Sequence, residues 1–184
     1  MNVSKWGPGG WVFLHSITFN YPLEPTESDK YNYKLYFDSL KNILPCKYCR
    51  QSYDIYIKYI PIDQFLDSRI GVVYWLYRIH NLINDKIYCN NEDFTNVIRK
   101  YEDIRAKCGR MAKDGMQDKQ YKTCKEKIHT INIDYLNDFL KLSEKYEHIF
   151  DKLQEKLYNS HENPNKECLK KKKLNNKIKI FYSI

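Results

Sequence analysis

Two cysteines separated by two residues, Cys46 and Cys49 in "KNILPCKYCRQSY" (residues 41–53), are the residues of this chain best suited to chemistry. Such a pair can furnish half of a zinc site, act as a thioredoxin-type redox centre, or hold a disulfide that hands electrons to another acceptor. Pro45 precedes the pair, and Lys47 and Arg50 follow its two members. A cysteine at a helix start has its thiolate stabilised by unpaired backbone N–H groups and the positive end of the helix dipole, and the two cations add to that potential. This setting favours thiol exchange.

A zinc ribbon needs a second close ligand pair, whereas Cys89, Cys108, Cys124 and Cys168 are scattered and form no other Cys-x-x-Cys, so no metal site is expected. A thioredoxin-like centre expects a βαβ setting, and the surroundings here read as helices. The third option requires groups that can grip a large aromatic cofactor. In "WGPGGWVFLH", Trp11 and His15 lie four apart on one helical face, with Trp6 just upstream; in "WLYRIHNLINDK", His80 and Asn84 do the same, with Asn81 and Lys86 close by. Aromatic faces can stack on rings, while His, Asn and Lys can hold ring edges, ribose hydroxyls or a diphosphate. Singly, each of these pairs is ordinary core packing. Their joint appearance around a helix-start Cys-x-x-Cys is the informative fact.

The elements that must position these residues are all helical, because apolar and aromatic residues recur at helical spacing and turn-rich stretches are short. A first helix is predicted over about residues 10–20, after "GPGG". A second starts near Ser28 as N-cap, carries Leu35, Leu40 and Leu44 inward, and stops at Pro45. A third begins at Cys46 or Lys47 and ends at Pro61. Asp67 or Ser68 caps a fourth, "RIGVVYWLYRIHNLINDKI", whose apolar residues cover more than one face and mark it as central. A short fifth fits "EDFTNVIRKYEDIRA". The chemistry therefore falls in a bundle over residues 1–107, with residues 108–184 forming an extension: a connection with Cys108 and Cys124, a long helix around "IDYLNDFLKLSEKYEHIFDKLQEKLY", and a basic tail.

The 184 residues are enough for one compact domain plus an extension, and alanine occurs only at Ala106 and Ala112, so the helices must form through packing. The formal net charge of +8 comes largely from the second half, with Lys113, Lys119, Lys122, Lys125 and Lys127 followed by "LKKKKL". No aromatic platform or nucleic-acid motif accompanies these lysines, so they read as a solvated end, and a nucleic-acid partner is not expected. No stretch has the roughly 18 consecutive apolar residues of a membrane span, and the N-terminus lacks the apolar core of a signal peptide. Six cysteines in such a chain point to redox chemistry more than to a secreted disulfide scaffold.

The order W-G-P-x-x-W-x-x-x-H, then Tyr21-Pro22, then P-C-x-x-C, then W-x-x-x-x-H-N-x-x-N-x-K resembles the Erv/ALR family of FAD-linked sulfhydryl oxidases, especially those of large DNA viruses. The resemblance spans residues 6 to about 105. It implies a four-helix bundle plus a short fifth helix cradling FAD, with a Cys46–Cys49 disulfide beside the isoalloxazine ring. Cys46 would be the sulfur attacked by an incoming thiolate and Cys49 the flavin-proximal one. Trp6, Gly7, Trp11, His15, Tyr53, Trp75, His80, Asn81, Asn84 and Lys86 match family FAD-site positions, and Tyr101 resembles the aromatic residue that closes the site. One position departs: many members carry His three residues after the second cysteine, and this chain has Ser52.

By that resemblance the chain oxidises thiols of substrate proteins to disulfides, passes the electrons through Cys46–Cys49 and FAD to dioxygen, and yields hydrogen peroxide. It would work as a homodimer in the infected-cell cytoplasm or the virion. Cys108 and Cys124 could form a second, shuttle disulfide or a structural staple, the staple being favoured; Cys89 and Cys168 have no assigned role. The competing class is a non-catalytic helical interaction module with bracing cysteines and a recruiting basic tail, which would be colourless where the oxidase is yellow.

Overall fold

The computed structural model describes residues 2–106 and 133–166, and Cys108, Cys124, Cys168 and the lysine run lie outside them. The described residues form six α-helices and one 3-10 turn and contain no strand: α1 (Val3–Phe19), α2 (Glu27–Ile43), α3 (Lys47–Tyr59), the 3-10 turn (Ile62–Phe65), α4 (Arg69–Ile87), α5 (Phe94–Ala106) and α6 (Ile133–Asn159). The all-helical expectation is borne out.

Local chemistry explains most of the boundaries. Thr26 and Asp29 close a reciprocal capping box at the start of α2, in place of the Ser28 cap expected from sequence. Ser28 was the nearer residue to the apolar run, but the Thr26-to-Asp29 spacing satisfies two orphan N–H groups where Ser28 would satisfy one. Ser68 caps α4 by accepting from the Gly71 N–H at 3.1 Å. Tyr88, in the left-handed region at φ 61°, ends that helix.

Two further expectations are corrected. α1 begins at Val3, not near Gly10, and runs through Pro8 with Asn2 as its cap. Pro8 removes only its own N–H bond, and the Gly10 position, where a Cβ would sit 3.4 Å from Trp6, lets the Trp6 ring lie along the helix. Leu35 points to solvent at 56% exposure, while Phe37 and Leu40 fill the inner face of α2. The true inward stripe is set by the aromatic at 37, which meets Trp75 edge-on at 5.2 Å.

α4 is the central element, as its all-round apolarity requires: Val72, Val73, Trp75, Leu76 and Ile79 are fully buried. α1 and α5 cover one side of it. α6 covers another, placing Tyr146, Phe150, Leu153 and Leu157 in the same buried cluster as Phe65 and Trp75. At Gly71 a Cβ would lie 2.3 Å from the Phe65 carbonyl oxygen and 2.8 Å from the Tyr146 ring, so the close approach of α4, the 3-10 turn and α6 depends on the missing side chain. Beyond α6 the chain turns back. Asn165 is buried, donating to the Leu82 carbonyl at 2.9 Å and accepting from the Tyr56 hydroxyl at 2.6 Å.

Candidate active site

Pro45 ends the α2 segment and Cys46 takes the N-cap position of α3, where its Sγ accepts from the Cys49 N–H at 3.3 Å. The sulfur thus stands where a capping oxygen usually does, facing the unpaired N–H groups of the first turn. Both sulfurs are free thiols in the structure and both residues are half-buried. They are not equivalent. The Cys46 thiol is held below its ordinary range, chiefly by a hydrogen bond from Cys49 and by backbone N–H groups. Burial, reinforced by the neighbouring Cys46, pushes Cys49 up to about 11, against the opposing charge of Lys86. Of the two, Cys46 is the thiol that ionises first.

The aromatic and histidine residues gather where α1, α4 and α5 meet. Trp11 stacks on His80 with ring centres 3.7 Å apart and planes 12° from parallel. His15 stacks on Tyr101 at 4.7 Å, and its Nε2 lies 3.1 Å from His80 Nδ1, so one ring donates to the other. Burial, with help from His80 and Lys100, pushes His15 down to about 3, and burial with Lys100 pushes His80 down to about 4. Both imidazoles are neutral at physiological pH.

Two buried polar atoms on α1, Trp6 Nε1 and His15 Nδ1, have no hydrogen-bond partner among the described residues. A buried polar group without a partner is costly, and such exceptions call for an explanation. Flat aromatic faces, neutral imidazoles and unmet indole and imidazole nitrogens together suit a planar ligand with polar ring edges.

The other sequence candidates divide. Gly7 is buried in α1. Asn81 lies on α4 about a turn beyond Tyr77, and Asn84 reaches the Asn90 carbonyl at 3.5 Å. Lys86 donates to Ser52, the residue standing in for the family histidine. Tyr53 and Trp75 belong to the core beneath: the Tyr53 hydroxyl donates to the Phe37 carbonyl at 3.1 Å and Trp75 Nε1 to the Ile60 carbonyl at 3.0 Å. Their polar atoms are committed to the protein and their rings are buried, so the structure places both beneath the site as its floor. Lys100, whose charge acts on both histidines, was not singled out from sequence; its place immediately before Tyr101 was the available signal.

A helical bundle with a helix-capping Cys-x-x-Cys and a neighbouring aromatic and imidazole cluster defines a small all-helical domain with a candidate thiol site. The Erv1 / Alr family model matches residues 8–102, more than half of the chain. The chain belongs to the Erv1/Alr family. It is 40% identical over 85 residues to a probable FAD-linked sulfhydryl oxidase of Acanthamoeba polyphaga mimivirus, an alignment that takes in 46% of this chain and 59% of that protein. It is 29% identical over 86 residues to the mitochondrial FAD-linked sulfhydryl oxidase ERV1 of Saccharomyces cerevisiae, covering 47% of this chain and 44% of the relative. The matched region therefore spans about half the length of these curated relatives. Among solved structures, the yeast Erv1 core superposes with a TM-score of 0.53 at 26% identity, over 56% of this chain and 86% of that one. The FAD binding domain of Erv1 from Saccharomyces cerevisiae gives the same TM-score at 27% identity, over 56% of this chain and 96% of the domain.

Proposed function

We propose that this protein is an FAD-dependent thiol oxidase that makes disulfides in substrate proteins. The observation that carries the reading is the unequal cysteine pair at the start of α3: a Cys46 thiol held below its ordinary range and a more buried Cys49 beside a lysine. Family membership supports it, and the interaction-module alternative offers no reason for this asymmetry.

In the oxidised chain Cys46 and Cys49 share a disulfide. A substrate thiolate attacks the Cys46 sulfur, the Cys46–Cys49 bond breaks, and Cys49 leaves as a thiolate whose burial the Lys86 charge offsets in part. The second substrate thiolate then attacks its own sulfur in the mixed disulfide and releases Cys46, which departs readily because its thiolate is the better stabilised of the two. The substrate leaves as a disulfide, and two electrons remain on the pair. Bound FAD supplies the two-electron acceptor that returns the pair to a disulfide and passes the electrons to dioxygen, giving hydrogen peroxide.

The residues present fit that cofactor. Trp6, Trp11, His15, His80 and Tyr101 would hold it through ring faces and unmet nitrogens, with Gly7, Asn81, Asn84 and Lys86 as further contacts and the buried Tyr53 and Trp75 packed beneath. The neutral state of both histidines matters, since a neutral imidazole can accept as well as donate.

The active form we propose is a homodimer, supported by apolar side chains left outward on α1 and α2: Phe13 is 62% exposed, and Val12 and Leu35 are also exposed. Among the described residues no helix is long and apolar enough to cross a membrane. The viral relative supports a setting in the infected-cell cytoplasm or the virion, where a reducing environment would make a dedicated oxidase useful.

An absorbance spectrum of the purified chain, followed by oxygen consumption with dithiothreitol, tests the function. A yellow protein that consumes oxygen and releases peroxide is expected, and a colourless, inert one returns the reading to the interaction module. Light scattering at several dilutions is expected to give the dimer mass.

A further inference from the structure

We infer that the groove between the end of α2 and the start of α3 selects substrates: it receives an acidic side chain of the protein segment whose cysteine meets Cys46. This rests on the thiol-oxidase reading and names the class of thiol that the site prefers, a cysteine with a glutamate or aspartate close by in the chain.

The groove has a volume of about 480 Å³ and is lined by Lys41, Asn42, Lys47, Arg50, Gln51 and Asp54. Lys41 and Asn42 come from the last turn of α2, and the other four from the first two turns of α3. Lys47, Arg50, Gln51 and Asp54 recur at helical spacing, so they form one stripe of α3. Lys47 and Arg50 each follow a cysteine directly, which sets that stripe about 100° around the helix from the cysteine positions. A segment whose cysteine engages Cys46 therefore has the groove beside it.

The lining gives the groove its sign. Three cations face one carboxylate, that of Asp54. Arg50 is held by donating to the Leu44 carbonyl at 2.5 Å, and one such bond leaves most of its donor fork for a ligand. A guanidinium suits a carboxylate in particular, since its planar fork matches the two oxygens. Asp54 lies 3.4 Å from Lys41 Nζ, and the two side chains are 60% and 41% exposed, so the pair is weak and yields to a carboxylate arriving with the substrate. From Lys47 to Asp54 the stripe rises about 10 Å. An extended peptide covers that in about three residues, which places the acidic side chain within about three positions of the substrate cysteine. Next to the lining residues, Tyr48 is 75% exposed and Ile43 64%, leaving ring and alkyl surface for the rest of the segment. Dithiothreitol carries no charge and gains nothing from the groove.

The test uses the full-length chain carrying Cys49→Ser, reduced, so that Cys46 alone of the pair reacts. Synthetic peptides carry one cysteine capped as a 2-pyridyl disulfide and differ only two positions from it, in Glu, Gln or Lys. The Cys46 thiolate attacks the peptide sulfur, the peptide–pyridyl S–S bond breaks, a Cys46–peptide disulfide forms, and the uncharged 2-thiopyridone leaves with a proton. Mass spectrometry follows the Cys46 adduct and separates it from adducts of the other cysteines. Each rate is divided by that of the same peptide with β-mercaptoethanol, and comparing peptides on one chain cancels any change in the Cys46 thiolate fraction. The Glu peptide is expected to react about tenfold faster than the Lys peptide at low salt, with Gln between them and the gap closing at about 0.5 M salt. Lys41→Glu is expected to bring the Glu and Lys peptides within about twofold of each other, and Asp54→Asn to widen the gap about threefold. Circular dichroism confirms that each variant keeps its helices, and Asp54→Asn decides the matter should Lys41→Glu lose them. Equal rates for the three peptides overturn the proposal. So does a preference unaltered in either folded variant, which would assign it to the +8 charge of the whole chain. Dithiothreitol oxidation by the unsubstituted chain is followed separately: its absence counts against the oxidase reading, whereas the peptide rates alone decide the role of the groove.

Discussion

α4 uses its two sides in opposite ways. Toward α6 and the returning chain, its polar groups have partners: Arg78 donates to Asp151 at 2.7 Å, to Gln154 at 2.8 Å and to the Tyr74 hydroxyl at 2.6 Å, while Leu82 offers its carbonyl to Asn165. Toward α1 and α5, rings stack on rings, His80 meets His15, and on α1 Trp6 Nε1 and His15 Nδ1 have no partner among the described residues. In the returning chain Asn163 Nδ2 is also buried without a partner among the described residues, so the contrast concerns α4 itself: its polar groups toward α6 are satisfied, while unmet nitrogens lie on the α1 side.

The sharpest break of that contrast falls at the cysteines. Cys46→Ser and Cys49→Ser are each expected to lose dithiol-dependent oxygen consumption to background while retaining bound flavin. Cys46→Ser should also develop a long-wavelength charge-transfer band from Cys49, and appearance of that band only in Cys49→Ser would reverse the two roles.

On the scaffold side, Gly71→Ala should cost about 3 kcal/mol, since the new Cβ meets the Phe65 backbone oxygen, which cannot swing aside as a side chain can. Urea unfolding monitored by circular dichroism measures this. Asn165→Ala is expected to cost about 1 kcal/mol by removing its hydrogen bonds with the Leu82 carbonyl and the Tyr56 hydroxyl, with dithiothreitol turnover unchanged. Impaired turnover in a folded Asn165→Ala protein would blur the division between the two sides.

Acid should act through the site side. His15 is held down to about 3 in the folded chain against an ordinary value of 6.5, so its contribution to stability is complete above pH 6.5 and is lost as pH falls toward 3. Its share of the loss by pH 5 is about 2 kcal/mol, and thermal melts across this range should show His15→Phe with a flatter acid limb. The smallest effect is expected at Lys145, whose pair with Asp67 is more than half exposed at the lysine end: Lys145→Ala should change stability by less than about 0.5 kcal/mol.

The site candidates were legible in the sequence because their chemistry is local in spacing. Cys46 and Cys49 announce themselves as a pair behind Pro45, and Trp11 with His15, or His80 with Asn84, share faces at four-residue intervals. The start of α1 was misread because Gly and Pro carry a strong local breaking signal, which the packing of the Trp11, His15 and Phe19 face overrides. Leu35 was misplaced for a related reason: α2 has several apolar residues in its stripe, and the choice of inner face rests on Trp75, distant in sequence. Tyr53 and Trp75 read as cofactor contacts, yet only the fold shows their polar atoms donating to the Phe37 and Ile60 carbonyls.

By itself, the sequence determined the helical class, the central helix, the candidate cysteine pair and the type of residue that could grip an aromatic cofactor, because periodicity, capping and motif spacing are properties of near neighbours along the chain. The tertiary structure alone decided which polar atoms are open, that Lys86 meets Ser52 across 34 residues, and that Asn165 closes over α3 and α4. Those contacts join residues far apart in the chain, and their hydrogen bonds and charges act only once packing has brought them within a few ångströms and excluded the water that would otherwise satisfy them.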